Sequence, residues 1–346
     1  MRIFSYRNKR TVRRILLILG VVLAVLLALV IGRFIYLQRF ISYTSEGARL
    51  DYEQDLTMTG QTPAARDPAQ FPFETVLEEN GGADGEPQTR KKLTGFHVTT
   101  DMLLGGIDEV KNALRQSEDY NTVLLDVKSS YGNFYYSTRL SGMQKTDALD
   151  VAEVDRFIRE LTETRDLTVI ARFSAFRDRN FALANQSDAL PIWNGALWEG
   201  DDLCYWLNPY SKEVQGYLTS VAIELAQLGF DGVLFDDFYF PDSDRIMWNG
   251  SISKEEAVLD CAAALGDLNG YGIEILFGSD SPEVAAYADR ICIRSEQAED
   301  VPGIVEQMQP IMEDPAAQIV FLTDSRDTRF AQCGVLRPLI EAEEPS

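Results

Sequence analysis

From residue 93 onward, short runs of β-branched and aromatic residues alternate with stretches whose apolar positions recur at helical spacing. The runs at 93–99, 122–128, 167–174, 232–238, 273–277, 291–294 and 319–323 predict strands, with a short eighth at 333–336. Helices are predicted over 107–117, 151–164, 212–228 and 254–268; in the second, apolar residues at 151, 154, 157, 158 and 161 share one face. Ser253 followed by Glu256 reads as a capping box that starts the last of these. A long irregular segment separates the third strand from Tyr210. Strand–helix alternation with nearly continuous apolar strands implies a parallel sheet covered on both faces. Seven or eight such units in about 250 residues suit a (β/α)8 TIM-like barrel, degenerate in its short last strands. A doubly wound open sheet is the alternative, but no GxGxxG follows the first strand and no GxxxxGK[ST] is present.

The beginning of the chain follows a different pattern. Residues 15–31 carry no charge or strongly polar group. As a helix that run reaches about 25 Å, and residues 34–37 extend it while Arg33 snorkels. Six positive charges precede it and two follow. The expected arrangement is a basic cytoplasmic segment at 1–14, a transmembrane anchor at 15–37, a flexible linker at 42–92 and the barrel at 93–340, outside the cytoplasm. A cleaved signal peptide is the rival, although no small-x-small site follows the apolar run. The lipid bilayer is therefore an expected partner.

Composition narrows the chemistry. The 346 residues include 54 acidic, 32 basic and one histidine, for a net charge of −22. Eight of the 32 basic residues lie in 1–41, which has no acid, so the remainder is more acidic still. Such a surface argues against nucleic acid as a partner. One histidine cannot build a His-rich metal centre, so carboxylates are the expected working groups and no cofactor is indicated. Asp236, Asp237, Asp242 and Asp244 could offer oxygens to calcium, but the loop lacks the EF-hand glycine, and no metal is expected. Cys204, Cys261, Cys292 and Cys333 show no CxxC spacing; disulfides are permitted outside the cytoplasm, and buried free thiols are the plainer reading.

Barrel enzymes work at the C-terminal ends of their strands. Collected there are His97, then Asp126 and Lys128, then Arg172, Arg177 and Asp178, then Asp236 and Asp237, and after the later strands Asp280, Glu296 and Asp324. Leu124, Asp126 and Lys128 share a face, which would bring Asp126 and Lys128 into the mouth together. Alternation allows only one of Asp236 and Asp237 to face the axis. A carboxylate beside Lys or Arg stays ionised, as a nucleophile or charge stabiliser requires, whereas a less solvated one could serve as acid. That is the two-carboxylate scheme of glycoside hydrolysis, with Asp236, Asp126 and Asp237 as the catalytic candidates. A structural Asp–Lys/Arg network is the alternative. Asp280 could equally cap a helix. All four tryptophans (Trp193, Trp198, Trp206 and Trp248) lie on the segments after strands 3 and 4, with Tyr210 and Tyr239 among them. Such rings suit sugar faces, or pack the long loop onto the barrel. Lys128, Arg172, His97, Trp206, Tyr210, Tyr239 and Asp280 are the candidate substrate contacts.

Three blocks carry a family likeness: residues 121–128 (NTVLLDVK), 169–178 (VIARFSAFRD), and 206–211 (WLNPYS) leading to 229–241 (GFDGVLFDDFYFP). Over about 93–250 the chain resembles the glycoside-hydrolase domains of the amylase-like TIM-barrel group, which are bacterial secreted or membrane-anchored proteins. The resemblance implies a (β/α)8 barrel and a polysaccharide ligand. It also implies Asp236 as nucleophile or stabiliser, with Asp126, Lys128 and Arg172 at the family's other strand-end polar positions. Asp237-Phe238-Tyr239-Phe240-Pro241 departs from the family's usual Tyr-Val-Arg-Phe-Pro, and no glutamate ends strand 5, where the group's acid is expected. A catalytically inactive barrel that binds polysaccharide or scaffolds an envelope assembly is the alternative function.

Overall fold

The computed structural model describes residues 41–44, 47–50, 90–200 and 202–340. The predicted anchor and basic segment lie outside the described residues, as does most of the linker. Among the described residues no helix is long and apolar enough to cross a membrane. One unit, residues 1–83, contributes an antiparallel hairpin, Ile41–Thr44 with Gly47–Leu50, at the start of the segment read as a linker.

The other unit, residues 84–346, holds eight strands: β1 (Thr94–Val98), β2 (Thr122–Asp126), β3 (Thr168–Ser174), β4 (Gly232–Asp236), β5 (Glu274–Phe277), β6 (Arg290–Arg294), β7 (Ile319–Leu322) and β8 (Gly334–Pro338). Each pairs in parallel with its sequence neighbours, and β8 pairs with β1, so the sheet closes into a barrel. The late strands are short but complete the ring, so the barrel is not degenerate there. Alternation sorts the side chains: Leu93, Leu124, Ile170, Leu234, Leu276, Cys292, Val320 and Leu336 fill the interior, while Val123, Val169, Phe173, Phe235 and Ile275 pack outward. Parallel strands buried on both faces explain why these segments read as unbroken apolar runs.

The amphipathic helices occur where their periodicity falls, at Ile107–Gln116, Val151–Thr162, Lys212–Gln227 and Lys254–Gly266. The capping box is present: Glu256 N–H donates to Ser253 Oγ at 3.0 Å, and Ser253 N–H to Glu256 Oε2 at 2.8 Å. An additional short helix, Thr100–Gly105, follows β1 directly. It was not predicted, because its six residues are too few to show a period. The cap before Pro282–Ala285 is Ser281, whose hydroxyl accepts from Val284 N–H; Asp280 is exposed beside it. The long segment after β3 is not structureless. Bridges at Pro191–Leu197, Glu199–Tyr205 and Ile192–Ile246 fold it into paired extended stretches tied to the loop after β4.

Candidate active site

At the C-terminal end of the barrel interior, Arg172 joins two carboxylates. It stands on β3 between its neighbours, directly opposite Asp126 of β2 in register. Its Nη1 donates to Asp126 Oδ1 at 2.8 Å, while Nε and Nη2 reach Asp236 Oδ2 at 2.7 and 2.5 Å. This fork is the geometry for which a guanidinium is suited and an ammonium is not. Because β2 and β4 flank β3, one arginine on the middle strand spans both partners.

The two aspartates differ in what remains available. Asp126 Oδ1 also accepts from His97 Nε2 at 2.8 Å, and its Oδ2 accepts from Thr100 N–H at 2.8 Å and Thr100 Oγ1 at 3.0 Å. With a side chain only 5% exposed and both oxygens doubly bonded, Asp126 has little capacity left for a ligand. Through these bonds it holds Arg172 in place at the end of β2. His97, itself buried, orients Asp126 and does not face outward.

Asp236 ends β4 with its side chain 12% exposed. Its Oδ1 accepts from the N–H of Asp237 at 3.0 Å, and its Oδ2 also lies 3.3 Å from Nη2 of Arg294. Gly278, just after β5, is needed for this placement. A Cβ there would fall 2.3 Å from Asp236 Oδ1. The end of strand 5, where an acid was sought, therefore holds the one residue small enough to let Asp236 pack.

Burial alone would raise the pKa of both aspartates. For Asp126, the Arg172 charge and the His97 hydrogen bond outweigh that effect; for Asp236, the charges of Arg172 and Arg294 do so. Both therefore sit below the ordinary carboxylate range and are ionised at neutral pH. Neither is the protonated acid of a two-carboxylate pair.

Asp237 turns away from this cluster. The strand has ended, and Asp237 takes a left-handed φ of 53° that aspartate tolerates better than most residues. Its carboxylate then meets Nη1 of Arg177 at 3.3 Å, and Arg177 also pairs with Asp202. Strict alternation separates the two aspartates as expected, but the left-handed turn keeps Asp237 at the rim. Tyr239 lies beside them, 48% exposed. Burial and the Asp237 charge push its phenol pKa up, so it stays protonated. Its ring stands 5.2 Å from Trp206, which stands 5.8 Å from Trp198. Trp206 is buried and serves as backing, leaving Tyr239 as the presented face.

Three other candidates lie apart from this cluster. Lys128 does not enter the mouth with Asp126. β2 ends at Asp126, and Lys128 runs into a separate buried network, donating to Asp178 Oδ2 at 2.6 Å above the Phe173 and Tyr217 rings. Asp178 also accepts from Tyr217 and from Phe181 N–H, so this ion pair pins the loop after β3. Tyr210 packs at the start of the Lys212–Gln227 helix, beneath the Lys212 ammonium. Asp280 makes none of the contacts that build the cluster. Arg294, 62% exposed at the last position of β6, is the residue sequence reading missed. Its strand-end location was the signal, but the acid two residues later drew attention instead. All four cysteines are free and buried. Among the described residues no group of three or more His, Cys, Asp or Glu could hold a metal ion.

Residues 95–268 match the family described as "Putative glycosyl hydrolase domain". The chain belongs to that family. No curated protein matches the chain. Among solved structures, a hypothetical protein from Ruminiclostridium thermocellum is similar at 24% identity, covering 53% of this chain and 96% of that one with a TM-score of 0.42. The PgaB (BpsB) glycoside hydrolase domain from Bordetella bronchiseptica is 11% identical, covering 71% and 94%, with a TM-score of 0.48. Aspergillus fumigatus Ega3, in complex with galactosamine, is 12% identical, covering 75% and 95%, with a TM-score of 0.45.

Proposed function

We propose that this protein is a glycoside hydrolase of the amylase-like barrel group that cleaves cell-wall or other polysaccharide. On this reading it is held in a bacterial cell membrane by one helix over 15–37, with its N-terminus cytoplasmic, its linker at 42–92 and its barrel outside. The observation that carries the catalytic part is the arginine-clamped, ionised Asp236 at the barrel mouth, together with membership of the family. A fixed negative charge there suits stabilisation of an oxocarbenium-like transition state, or attack on it. Asp237, at the rim beside Asp236, is the candidate for proton transfer. Tyr239 offers a half-exposed ring against which a sugar can lie. The apolar run and its basic flanks support the anchor.

The test is release of reducing ends from bacterial polysaccharides. Asp236→Asn should lower the rate about 10²–10³-fold, the usual cost of removing one transition-state charge partner. Equal rates in the variant would remove Asp236 from the mechanism.

One feature supports a second reading, a polysaccharide-binding barrel without hydrolysis. Asp236 already pairs with two arginines, and Asp126, across Arg172, is ionised too. Saturable polysaccharide binding by the native protein, with no reducing ends released from any polymer it binds, would favour that reading.

A further inference from the structure

Beyond Asp237 the rim of the mouth carries a second half-exposed ring. Tyr131, on the turn after β2, is 42% exposed, close to the value for Tyr239 after β4. A line of polar contacts through the loop after β3 connects the two. Tyr239 N–H donates to the Asp237 carbonyl at 3.0 Å, and the Asp237 carboxylate meets Arg177. Arg177 pairs with Asp202, whose carbonyl lies 3.5 Å from the Tyr131 hydroxyl. Leu203, the next residue, is itself exposed.

The turn that holds Tyr131 is fixed from several sides. Arg179 N–H donates to the Ser130 carbonyl at 3.2 Å, and Asn180 N–H to the Tyr131 carbonyl at 3.0 Å. The Cys204 thiol donates to the same Ser130 carbonyl at 2.7 Å. Gly132 takes a left-handed φ of 89°, and a Cβ there would overlap the Asp178 carboxylate that Lys128 holds. The Arg179 guanidinium backs the Tyr131 ring, 5.9 Å from its centroid. A ring placed in advance in this way loses little freedom when a ligand lies on it.

We infer, resting on the reading of Asp236 as the point of cleavage, that the rim from Tyr239 to Tyr131 is an extended subsite for consecutive units of one polysaccharide chain, and that Tyr131 selects polymer over short sugar. A sugar chain presents apolar faces edged by hydroxyls, and the rim matches that order. The two rings supply apolar area at either end. Asp237, Arg177 and Asp202, all partly exposed, supply hydrogen-bonding groups between them. The rings stand on the loops of β2 and β4, two strands apart and so about 10 Å around the sheet, and a single pyranose cannot cover both.

Two probes test it with the full chain: peptidoglycan sacculi and soluble dextran, each compared with its own disaccharide. Tyr131→Ala should raise KM for the polymer about 3- to 10-fold, the loss of one ring contact, with a smaller change in kcat. The ratio of kcat/KM for polymer to that for the disaccharide should fall by the same factor, because a disaccharide places only one unit on either side of the cleaved bond. Tyr131→Phe keeps the ring and should recover most of the preference. Tyr131→Leu keeps bulk without a flat ring; it should show the loss, and it serves if Tyr131→Ala does not fold. Co-sedimentation with sacculi and electrophoresis through dextran gels read the same 3- to 10-fold loss as affinity, without any hydrolysis. Polymer binding that weakens in Tyr131→Ala, with no cleavage, would sustain the subsite and defeat the hydrolase reading. Cleavage with the same polymer preference in native protein and Tyr131→Ala would do the reverse. Absence of binding and cleavage with both polymers, or a loss that Tyr131→Phe does not recover, would also overturn the inference.

Discussion

The barrel interior carries one ionic layer at each end, and the two are built differently. At the N-terminal end Arg290, with its side chain 3% exposed, pairs with Glu274 at 2.9 Å and donates to the carbonyls of Lys91 and Ala317. Its donors are thus divided between one carboxylate and two backbone carbonyls, which tie the chain's entry into the barrel to the start of β7. At the C-terminal end Arg172 spends its donors on two carboxylates, and Arg294, Tyr239 and Asp237 around them remain partly open to water. Both are buried ion pairs, which are weak evidence for stability in themselves. What separates them is the partner. Backbone carbonyls fix a position, whereas a cluster of side-chain charges beside solvent creates a potential that a ligand can meet.

The sharpest way to break this contrast is to remove each arginine. Arg290→Met should cost about 3–5 kcal/mol, because it strands a carboxylate and two carbonyls that were hydrogen-bonded. Denaturant unfolding measures this, and the fraction still folded should bind polysaccharide normally. Arg172→Met is expected to reverse the emphasis, abolishing hydrolysis or binding at the mouth. If both variants lose the same stability and Arg172→Met retains function, the C-terminal layer is structural as well.

Gly278→Ala asks whether Asp236 is held by packing as well as by charge. The added Cβ would stand 2.3 Å from Asp236 Oδ1 and 2.9 Å from its Cα, against backbone that cannot yield cheaply. Overpacking of this kind costs about 1–3 kcal/mol. The carboxylate should also shift from Arg294, giving a fall in activity larger than the fall in stability explains. A fully active variant would show that the mouth tolerates displacement of Asp236.

How much of this was legible beforehand follows from the range of each interaction. The strands, amphipathic helices and capping box depend on residues within a few positions of one another, and they occur where the periodicity falls. Asp236 and Arg172 were found because a strand end fixes a side chain's address in a barrel. Lys128 was misplaced because alternation was carried two residues beyond Asp126, where β2 stops. The Asp178 that captures it lies fifty residues away in sequence. The surroundings of Asp126 were hidden for a similar reason: its four hydrogen-bond donors come from β1, β3 and a short helix with no detectable period. Gly278 carries no local signal, since its role is to leave space for a neighbouring strand's side chain.

The smallest effect concerns acid. Asp126 and Asp236 both have folded-state pKa values below the unfolded value of about 3.9. As pH falls through about 4, the unfolded chain takes up protons that the folded barrel refuses, so stability present at neutral pH is progressively lost toward the folded pKa. Asp126→Asn removes one of the two groups responsible. The variant should start less stable at pH 7 and lose less on moving to about pH 3 than the native protein does. Urea midpoints at the two pH values measure the difference. An acid-induced loss that is the same in both proteins would place the titrating groups elsewhere and remove the C-terminal layer's claim to be the charge-sensitive end of the barrel.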